Sequence, residues 1–328
     1  MLRAPFPWFG GKSRAASEVW AAIGDVPNYV EPFAGSLGVL LGRPGGPGKI
    51  ETINDNDALL INVWRAIAWA PSDVAAAADW PVSEADLSAR HMRLVERRDA
   101  VRERLCADPD WFDAKLAGWW VWGACSWIGS GWCSGSGPWS SNGVQLVKGN
   151  AGMGINRKLP HLGDAGMGIN RQLPHLGDAG RGINRQGVAV AEWLRRLSDR
   201  LRSARITCGD WRRVATPTAT FRHGMTGLVL DPPYPEGWDT ESGYSGQNGS
   251  AIDIWMDVTT TAAKLGERRD MRVVVCGYEG TWEPPAGWSV RTWTPRKGYA
   301  VEHTHLRERL WCSPACIPEA GRAQASLF

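Results

Sequence analysis

The apolar positions in the first seventy residues alternate between short strand-like runs and stretches with helical spacing. Residues 29–33 and 50–55 have the length and composition of buried strands, and the second run ends in an acid. Residues 13–23 and 57–69 carry apolar side chains at helical spacing, and 34–38 form a glycine-containing turn between a strand and a helix. A strand, a glycine turn, a helix and a strand ending in an acid predict half of a Rossmann-like sheet.

The same alternation returns in the second half of the chain, after a long middle region that is first helical and then loop-like. Strands are predicted at 206–210, 227–230, 271–276 and 308–312, with the last paired to a segment near 288–294, and helices are predicted over 75–106 and 251–265. We therefore expect one α/β catalytic domain whose sheet is interrupted by an insertion. The expected division is 1–72 and 191–328 for the catalytic domain and 73–190 for the inserted region.

The segment Asp231-Pro232-Pro233-Tyr234 directly follows one of these predicted strands. The two prolines hold the backbone extended and remove two amide donors from any ladder. A carboxylate, a rigid carbonyl and an aromatic ring at a strand end suit a planar group that bears an exocyclic amine, such as a nucleobase. The alternative is an ordinary strand-to-turn junction that begins with Asp231.

A fourteen-residue unit is repeated inside the insertion, at residues 151–164 and 165–178, and it begins again at 179–186. Each copy carries an Asn-Arg pair, and these side chains can read adenine and guanine edges through two hydrogen bonds. The alternative is that tandem duplication only lengthened a surface loop. The candidate DNA-binding pairs are Asn156-Arg157, Asn170-Arg171 and Asn184-Arg185.

Charge and aromatic content leave two further questions open. The 37 basic and 34 acidic residues give a net charge of only +3, so the distribution of charge matters more than its sum. Seven arginines between 195 and 213 predict either a basic surface or an ordinary solvated helix face. Arg296-Lys297 is either a phosphate contact or a charged turn. Of the 20 tryptophans, the group between 111 and 139 favours a packed aromatic core over a base-stacking surface.

The cysteines and the hydropathy exclude several classes of protein. Seven cysteines without regular spacing argue against a disulfide framework and fit a reducing cytoplasm. Cys312 and Cys316 with His303 and His305 fit no standard zinc spacing, so no metal is expected. The sequence has no signal peptide and no apolar run long enough for a bilayer, so no membrane partner is expected.

Taken in order, the motifs resemble those of the Dam-like DNA adenine-N6 methyltransferases. Trp8-Phe-Gly-Gly-Lys12, Glu31-Pro-Phe-Ala-Gly-Ser36 and Asn54-Asp55 precede a long insertion, and Asp231-Pro-Pro-Tyr234 follows it. The resemblance covers roughly 1–70 and 205–312 of this chain. It implies a Rossmann-like, S-adenosylmethionine-dependent methyltransferase sheet with an inserted target-recognition domain, of phage or prophage type.

The resemblance also implies a set of cofactor contacts. Gly11 and Gly35 would let the backbone approach the methionine part of S-adenosylmethionine, while Lys12 and Glu31 would clamp its carboxylate and ammonium. Asp55 would accept the ribose hydroxyls, although the same residue could instead cap the helix that begins near 57. The remaining expected cofactor contacts are Trp8, Phe33, Asp210 and Asp231.

The implied reaction is direct transfer of a methyl group to the N6 amine of an adenine flipped out of double-stranded DNA. Asp231 and the Pro232 carbonyl would bind the amine, Pro233 would hold the segment rigid, and Tyr234 would stack on the base. Two alternatives stay open: a cytosine-N4 or RNA methyltransferase, and a catalytically silent DNA-binding module. A cytoplasmic, nucleoid-associated enzyme of a bacterium or a phage-infected host is expected.

Overall fold

The computed structural model of the chain describes residues 2–8, 10–127, 132–133, 190–235, 251–292 and 308–319, and the backbone strands at 139–141 and 146–148. The helices are α1 (Ala16–Ile23), α2 (Gly38–Leu41), α3 (Ala58–Trp69), α4 (Pro71–Ala78), α5 (Glu84–Ala107), α6 (Ala114–Ser126), α7 (Val190–Leu201) and α8 (Ala251–Gly266). Two single-turn 3₁₀ helices lie at Trp211–Arg213 and Phe221–His223. The strands are β1 (Asn28–Glu31), β2 (Ile50–Asp55), β3 (Trp139–Ser141), β4 (Leu146–Lys148), β5 (Arg205–Cys208), β6 (Thr226–Leu230), β7 (Met271–Tyr278), β8 (Ser289–Thr292) and β9 (Glu308–Cys312).

Seven strands form one mostly parallel sheet in the order β5-β2-β1-β6-β7-β9-β8. The five strands from β5 to β7 are mutually parallel, β9 runs antiparallel to β7, and β8 runs antiparallel to β9. The chain builds outward from β1 through β2 to β5 and then returns to β6 on the other side of β1. The predicted α/β sheet is thus confirmed, and its strand order is compatible with a Rossmann-like arrangement. The reversal puts the topological switch point between β1 and β6.

Both faces of the sheet are covered. Successive side chains of the central strands point to opposite faces, so each face packs against its own set of helices. On β7, Val274 and Cys276 join the larger core with helices α1, α3, α6 and α7. Their neighbours Val273 and Val275 join a second core with α8. Sequestering both faces explains why every residue of β6 is buried, rather than every second one.

Helices α4 to α7 extend the larger core rather than forming one of their own. α4 and α6 pack against each other, α6 also packs on α3, and α4 contacts α7. Trp120 and Trp122 are buried there, and Trp111, Trp119, Trp127 and Trp132 pack against the same core. The core interpretation of these tryptophans is thus confirmed for the six that the structure describes. Assignment of 73–190 to target recognition stays a prediction.

Several predicted elements are confirmed, and some boundaries differ. Strands β2 and β9 occupy the predicted residues, and β8 pairs with β9 as expected. The helix predicted over 75–106 is two helices, α4 and α5, because Pro81 lies between them and cannot continue a helix. Among the described helices, none combines the length and the apolarity needed to cross a bilayer.

Candidate functional site

The motif residues meet along one edge of the sheet, where the parallel strands end. Glu31 is the last residue of β1, Asp55 is the last residue of β2, and Asp231 directly follows β6. Because β9 is antiparallel, its first residue, Glu308, lies at the same edge, opposite Tyr278 at the end of β7. Ligands of open α/β sheets bind outside the carboxyl ends of the strands at the switch point, which is the position that these residues occupy.

Lys12, Asp231 and Tyr234 form one hydrogen-bonded cluster at the switch point. The Lys12 Nζ lies 3.0 Å from Asp231 Oδ1 and donates a 2.9 Å bond to the Gly10 carbonyl. The Tyr234 hydroxyl donates to the same Asp231 oxygen at 3.2 Å. Within the described part of the chain both contacts end on Oδ1, which leaves Oδ2 of Asp231 for a ligand.

The cluster is ionic and largely shielded from water. Lys12 is only 6% exposed, and burial alone would lower its pKa. The negative charge of Asp231 and smaller contributions from Tyr234 and Glu308 outweigh that effect, so the pKa of Lys12 lies well above its ordinary value. A charged ammonium beside Asp231 holds its carboxylate in place by a charge-assisted contact.

The ring of Tyr234 packs into an aromatic wall. Its centroid lies 4.6 Å from that of Tyr278 and 6.0 Å from that of Trp255, both edge to face, and the Lys12 ammonium lies 5.3 Å from the ring centroid. Burial raises the pKa of the Tyr234 hydroxyl well above its ordinary value, so it stays a donor. The stacking of Tyr234 on a base stays a prediction.

The glycine turn after β1 is packed directly under the indole of Trp8. Gly35 has a φ of +46°, and a Cβ there would lie 2.7 Å from Trp8 Nε1. Gly11 is similarly close to this turn, since a Cβ on it would lie 3.1 Å from Ser36 Oγ. Trp8, Gly11 and Gly35 are therefore brought together, as their shared role in the sequence analysis requires.

Asp55 holds this turn instead of capping a helix. Its Oδ2 accepts the Gly35 N–H at 3.0 Å and its Oδ1 accepts the Asp57 N–H at 2.9 Å. The cap of α3 is Asp57, which accepts from the N–H groups of Leu59 and Leu60. Burial nevertheless raises the pKa of Asp55 to about 6, because the hydrogen bonds only partly compensate for lost solvation. No cation is paired with this carboxyl in the described structure.

Glu31 is buried, and none of the described cationic side chains pairs with it. It is 5% exposed, and its Oε2 accepts a 2.9 Å hydrogen bond from the Tyr29 hydroxyl. Burial raises its pKa to about 8, and the nearby carboxyl groups of Asp231 and Asp55 contribute to the increase. A ligand that brought a positive charge to Glu31 would offset the free-energy cost of ionising this buried carboxyl group.

Asp210 lies beside the end of β2, but it is already engaged. The Gly209 N–H donates to the Asp55 carbonyl at 3.0 Å, which joins the loop after β5 to the loop after β2. The Asp210 carboxylate accepts at 2.8 Å from the side chain of Arg212, which also pairs with Asp257. A cofactor contact through Asp210 stays a prediction and would require this exposed ion pair to open or to share the carboxylate.

Phe33 provides an apolar wall between these loops. Its ring centroid lies 5.8 Å from that of Trp211, a buried residue of the loop after β5. The indole nitrogen of Trp211 is buried and has no hydrogen-bond partner in the described structure. Trp211 was not singled out by the sequence, where its only signal is its position next to Asp210.

The predicted DNA-contacting residues fall outside the described part of the chain. These residues are Asn156, Arg157, Asn170, Arg171, Asn184, Arg185, Arg296 and Lys297. His303 and His305 also lie outside it, whereas Cys312 and Cys316 are buried thiols. Within the described ranges, no group of three or more His, Cys, Asp or Glu side chains is arranged to bind a metal ion.

Three other residues of the site were missed by sequence reasoning. Tyr29 contacts Glu31, and Tyr278 packs on Tyr234. The charge of Glu308 contributes to the raised pKa of Lys12. Tyr29 and Glu31 are two apart on one strand and therefore share a face, so their contact was readable from the sequence. The position of Tyr278 depends on the pairing of β6 with β7, and that of Glu308 on the pairing of β7 with β9, which no local pattern predicts.

The sequence matches no protein-family model, and no curated protein is significantly similar to it. A functional conclusion therefore depends on the geometry and chemistry of the site together with the order of its motifs.

Proposed function

We propose that the chain is an S-adenosylmethionine-dependent DNA methyltransferase that modifies the N6 amine of adenine. The observation that carries this proposal is the cluster of Lys12, Asp231 and Tyr234 at the switch point, directly beside the buried carboxyl groups of Glu31 and Asp55. One half of this arrangement suits an amine substrate, and the other half suits a cationic cofactor.

The cofactor half fits S-adenosylmethionine by charge and by shape. Glu31 is a buried carboxyl group that no described cation balances, so the α-ammonium of the ligand would bind it. Asp55 would accept ribose hydroxyls, and the Gly35 turn with the Trp8 indole packed against it would border the methionine part. Phe33 and Trp211 offer an apolar surface for an adenine ring.

Lys12 has a different principal role from the one its motif suggests. Its ammonium is bonded to Asp231 and Gly10, so its first task would be to hold the Asp231 carboxylate in place. An ammonium has three donors, and the third is available for the carboxylate of the methionine part. Lys12 would then connect the cofactor half of the site to the amine half.

The amine half would orient a poor nucleophile. When bound, S-adenosylmethionine supplies an electrophilic methyl group on a sulfonium. The lone pair of an aryl amine is delocalised into the ring, so the amine must be drawn towards tetrahedral geometry before it attacks. Hydrogen bonds from its N–H groups to Asp231 Oδ2 and to the Pro232 carbonyl would do so, and Pro233 would keep that carbonyl fixed.

Access to the amine requires the base to leave the duplex. The N6 amine of adenine is paired and stacked inside double-stranded DNA, so the nucleotide must be flipped towards Tyr234. The repeats at 151–186 and the cations Arg296 and Lys297 are the proposed contacts to DNA. The motif order favours adenine over cytosine, which carries an equivalent exocyclic amine.

Methyl transfer from S-adenosylmethionine with a radiolabelled methyl group tests the proposal directly. The full chain is incubated with unmethylated duplex DNA, with single-stranded DNA and with RNA, and the digested nucleosides are separated. We expect label in N6-methyladenine from duplex DNA. Label only in N4-methylcytosine or only in RNA would reassign the substrate, and no transfer despite cofactor binding would indicate a silent DNA-binding module.

Asp231→Asn separates chemistry from binding. The substitution keeps the shape but removes the charge that Lys12 balances, so the transfer rate should fall about 10³-fold or more. Binding of S-adenosylmethionine, measured by calorimetry, should change far less. Asp270→Asn, which alters an exposed carboxylate paired with Arg268, is the matched control and should retain full activity.

A further inference from the structure

We propose that Glu308 is a further catalytic residue of this site, the base that takes the proton released when the amine is methylated. The inference rests on the proposed methyltransferase function and extends it to a residue outside every motif described above. It is carried by the position of Glu308 and by the state of its carboxyl group.

The register of the sheet brings Glu308 to the amine half of the site. Glu308 lies directly opposite Tyr278 in the β7–β9 pair, and opposed residues of an antiparallel pair share a face. The Tyr278 ring in turn contacts that of Tyr234 at 4.6 Å. Glu308 therefore lies beside Tyr278, on the side of β6 away from β1, and close enough to Lys12 and Asp231 for their charges to act on it.

The carboxyl group of Glu308 has an oxygen without a partner. Its Oε2 is shielded from solvent and accepts no hydrogen bond from any residue that the structure describes. A buried polar atom in that condition is costly and calls for a donor. The N–H groups of an exocyclic amine are donors, and the amine must be bound close to Asp231.

The groups that face Glu308 favour a base over a second anchor. Lys12 comes from the loop before α1, Asp231 and Tyr234 from the segment after β6, and Cys276 and Tyr278 from β7. Burial raises the pKa of Glu308, Lys12 opposes the increase and Asp231 adds to it. Asp231 has Lys12 and Tyr234 bonded to it, whereas Oε2 of Glu308 accepts no hydrogen bond from the described residues, so Glu308 is the carboxyl group left to accept a proton.

The reaction needs such an acceptor. The amine lone pair forms the new N–C bond while the C–S bond breaks, and its electron pair stays on sulfur as a neutral thioether. As the N–C bond forms, the nitrogen comes to carry one proton too many. That proton passes to ionised Glu308 as a neutral carboxylic acid forms, and it returns to solvent before the next turnover.

Single-turnover kinetics test this role apart from cofactor binding. The complex of enzyme, saturating S-adenosylmethionine and duplex DNA is preformed, and the transfer rate is followed from pH 5 to pH 8.5. The wild-type rate should fall as the pH decreases through the pKa of Glu308. Glu308→Gln should lower the rate at neutral pH about 10²-fold, as expected for loss of a general base, and should remove this acid limb.

Two further variants test whether the carboxylate of Glu308 is responsible for the acid limb. Glu308→Asp retains a carboxylate and should restore the acid limb at a reduced rate, whereas Glu279→Gln alters an exposed carboxylate at the same sheet edge and should behave as wild type. The role of Glu308 would be overturned if the wild-type rate showed no acid limb, or if a folded Glu308→Gln protein kept it. Either result would leave the proposed methyl transfer unaffected. Absence of transfer by the wild-type chain would overturn both proposals.

Discussion

Two buried glutamates on adjacent strands have opposite surroundings. Glu51, near the start of β2, is 1% exposed, and Glu31, at the end of β1, is 5% exposed. Glu51 binds two arginines: its oxygens lie 3.0 Å from Arg43 Nη1 and 2.6 Å from Arg200 Nη1. Arg200 adds a second bond at 2.9 Å, and the Gly48 N–H donates at 3.0 Å. Each oxygen of Glu51 is therefore satisfied by charge-assisted hydrogen bonds.

No arginine or lysine among the described residues pairs with Glu31, and in this respect the two ends of the sheet differ. In the described part of the chain, the side-chain hydrogen-bond partner of Glu31 is the neutral Tyr29 hydroxyl, and burial raises the pKa of Glu31 to about 8. The amino end of the β1–β2 pair is built as a closed ion network that ties α7 to the sheet. The carboxyl end holds carboxyl groups in an unfavourable state, which a protein keeps where a ligand relieves the cost.

The largest effect is expected from breaking the closed network. Glu51→Gln removes the charge that two buried arginines share and should lower the free energy of unfolding by about 3–5 kcal/mol. Urea denaturation at pH 7 measures the change. Glu96→Gln, in an exposed pair with Arg93, is the control and should cost well under 1 kcal/mol. A loss at Glu51 no larger than the control would mean that the network does not stabilise the fold.

Replacing Glu31 by Gln, at the carboxyl end of β1, should raise the free energy of unfolding instead of lowering it. An acid whose folded pKa is about 8 and whose unfolded pKa is about 4.5 loses stability as the pH rises between these values. Glu31→Gln removes that penalty and keeps an acceptor for Tyr29, so it should stabilise the free protein by about 1–3 kcal/mol at pH 7.5.

Denaturation of Glu31→Gln at two pH values checks the origin of the effect. The advantage over wild type should disappear near pH 4.5, where Glu31 is protonated in both the folded and the unfolded state. An equal advantage at both pH values would trace the stabilisation to packing and not to a buried charge.

The contrast between Glu51 and Glu31 also marks what the sequence could predict. The bounds of β2 and β9 follow from local apolar patterns, and the motif residues of the site lie on or beside such strands, so both were predictable. Arg200 was assigned to a basic surface or a solvated helix face, but it is 8% exposed and bound to Glu51, a residue 149 positions away. No local pattern indicates such a pair, and the contacts of Lys12 and Glu308 with the segment after β6 were missed for the same reason.

The smallest expected effect, and the most specific to the site, is proton release when Glu31 binds a cation. S-adenosylhomocysteine, the thioether product, carries the same α-ammonium and allows binding to be measured without turnover. An ammonium binds ionised Glu31, which with a pKa of about 8 is roughly 90% protonated at pH 7. Binding at pH 7 should therefore release about 0.9 proton per site, and affinity should fall about fivefold between pH 8 and pH 7.

Calorimetry in two buffers of different ionisation enthalpy measures that proton directly. Glu31→Gln should bind more weakly, release essentially no proton and lose the pH dependence between 7 and 8, because Asp55, with a pKa of about 6, is already ionised there. Binding by the wild type without proton release would show that the ammonium does not reach Glu31. The raised pKa of Glu31 would then need another explanation, and the difference between the two ends of the sheet would no longer point to this ligand.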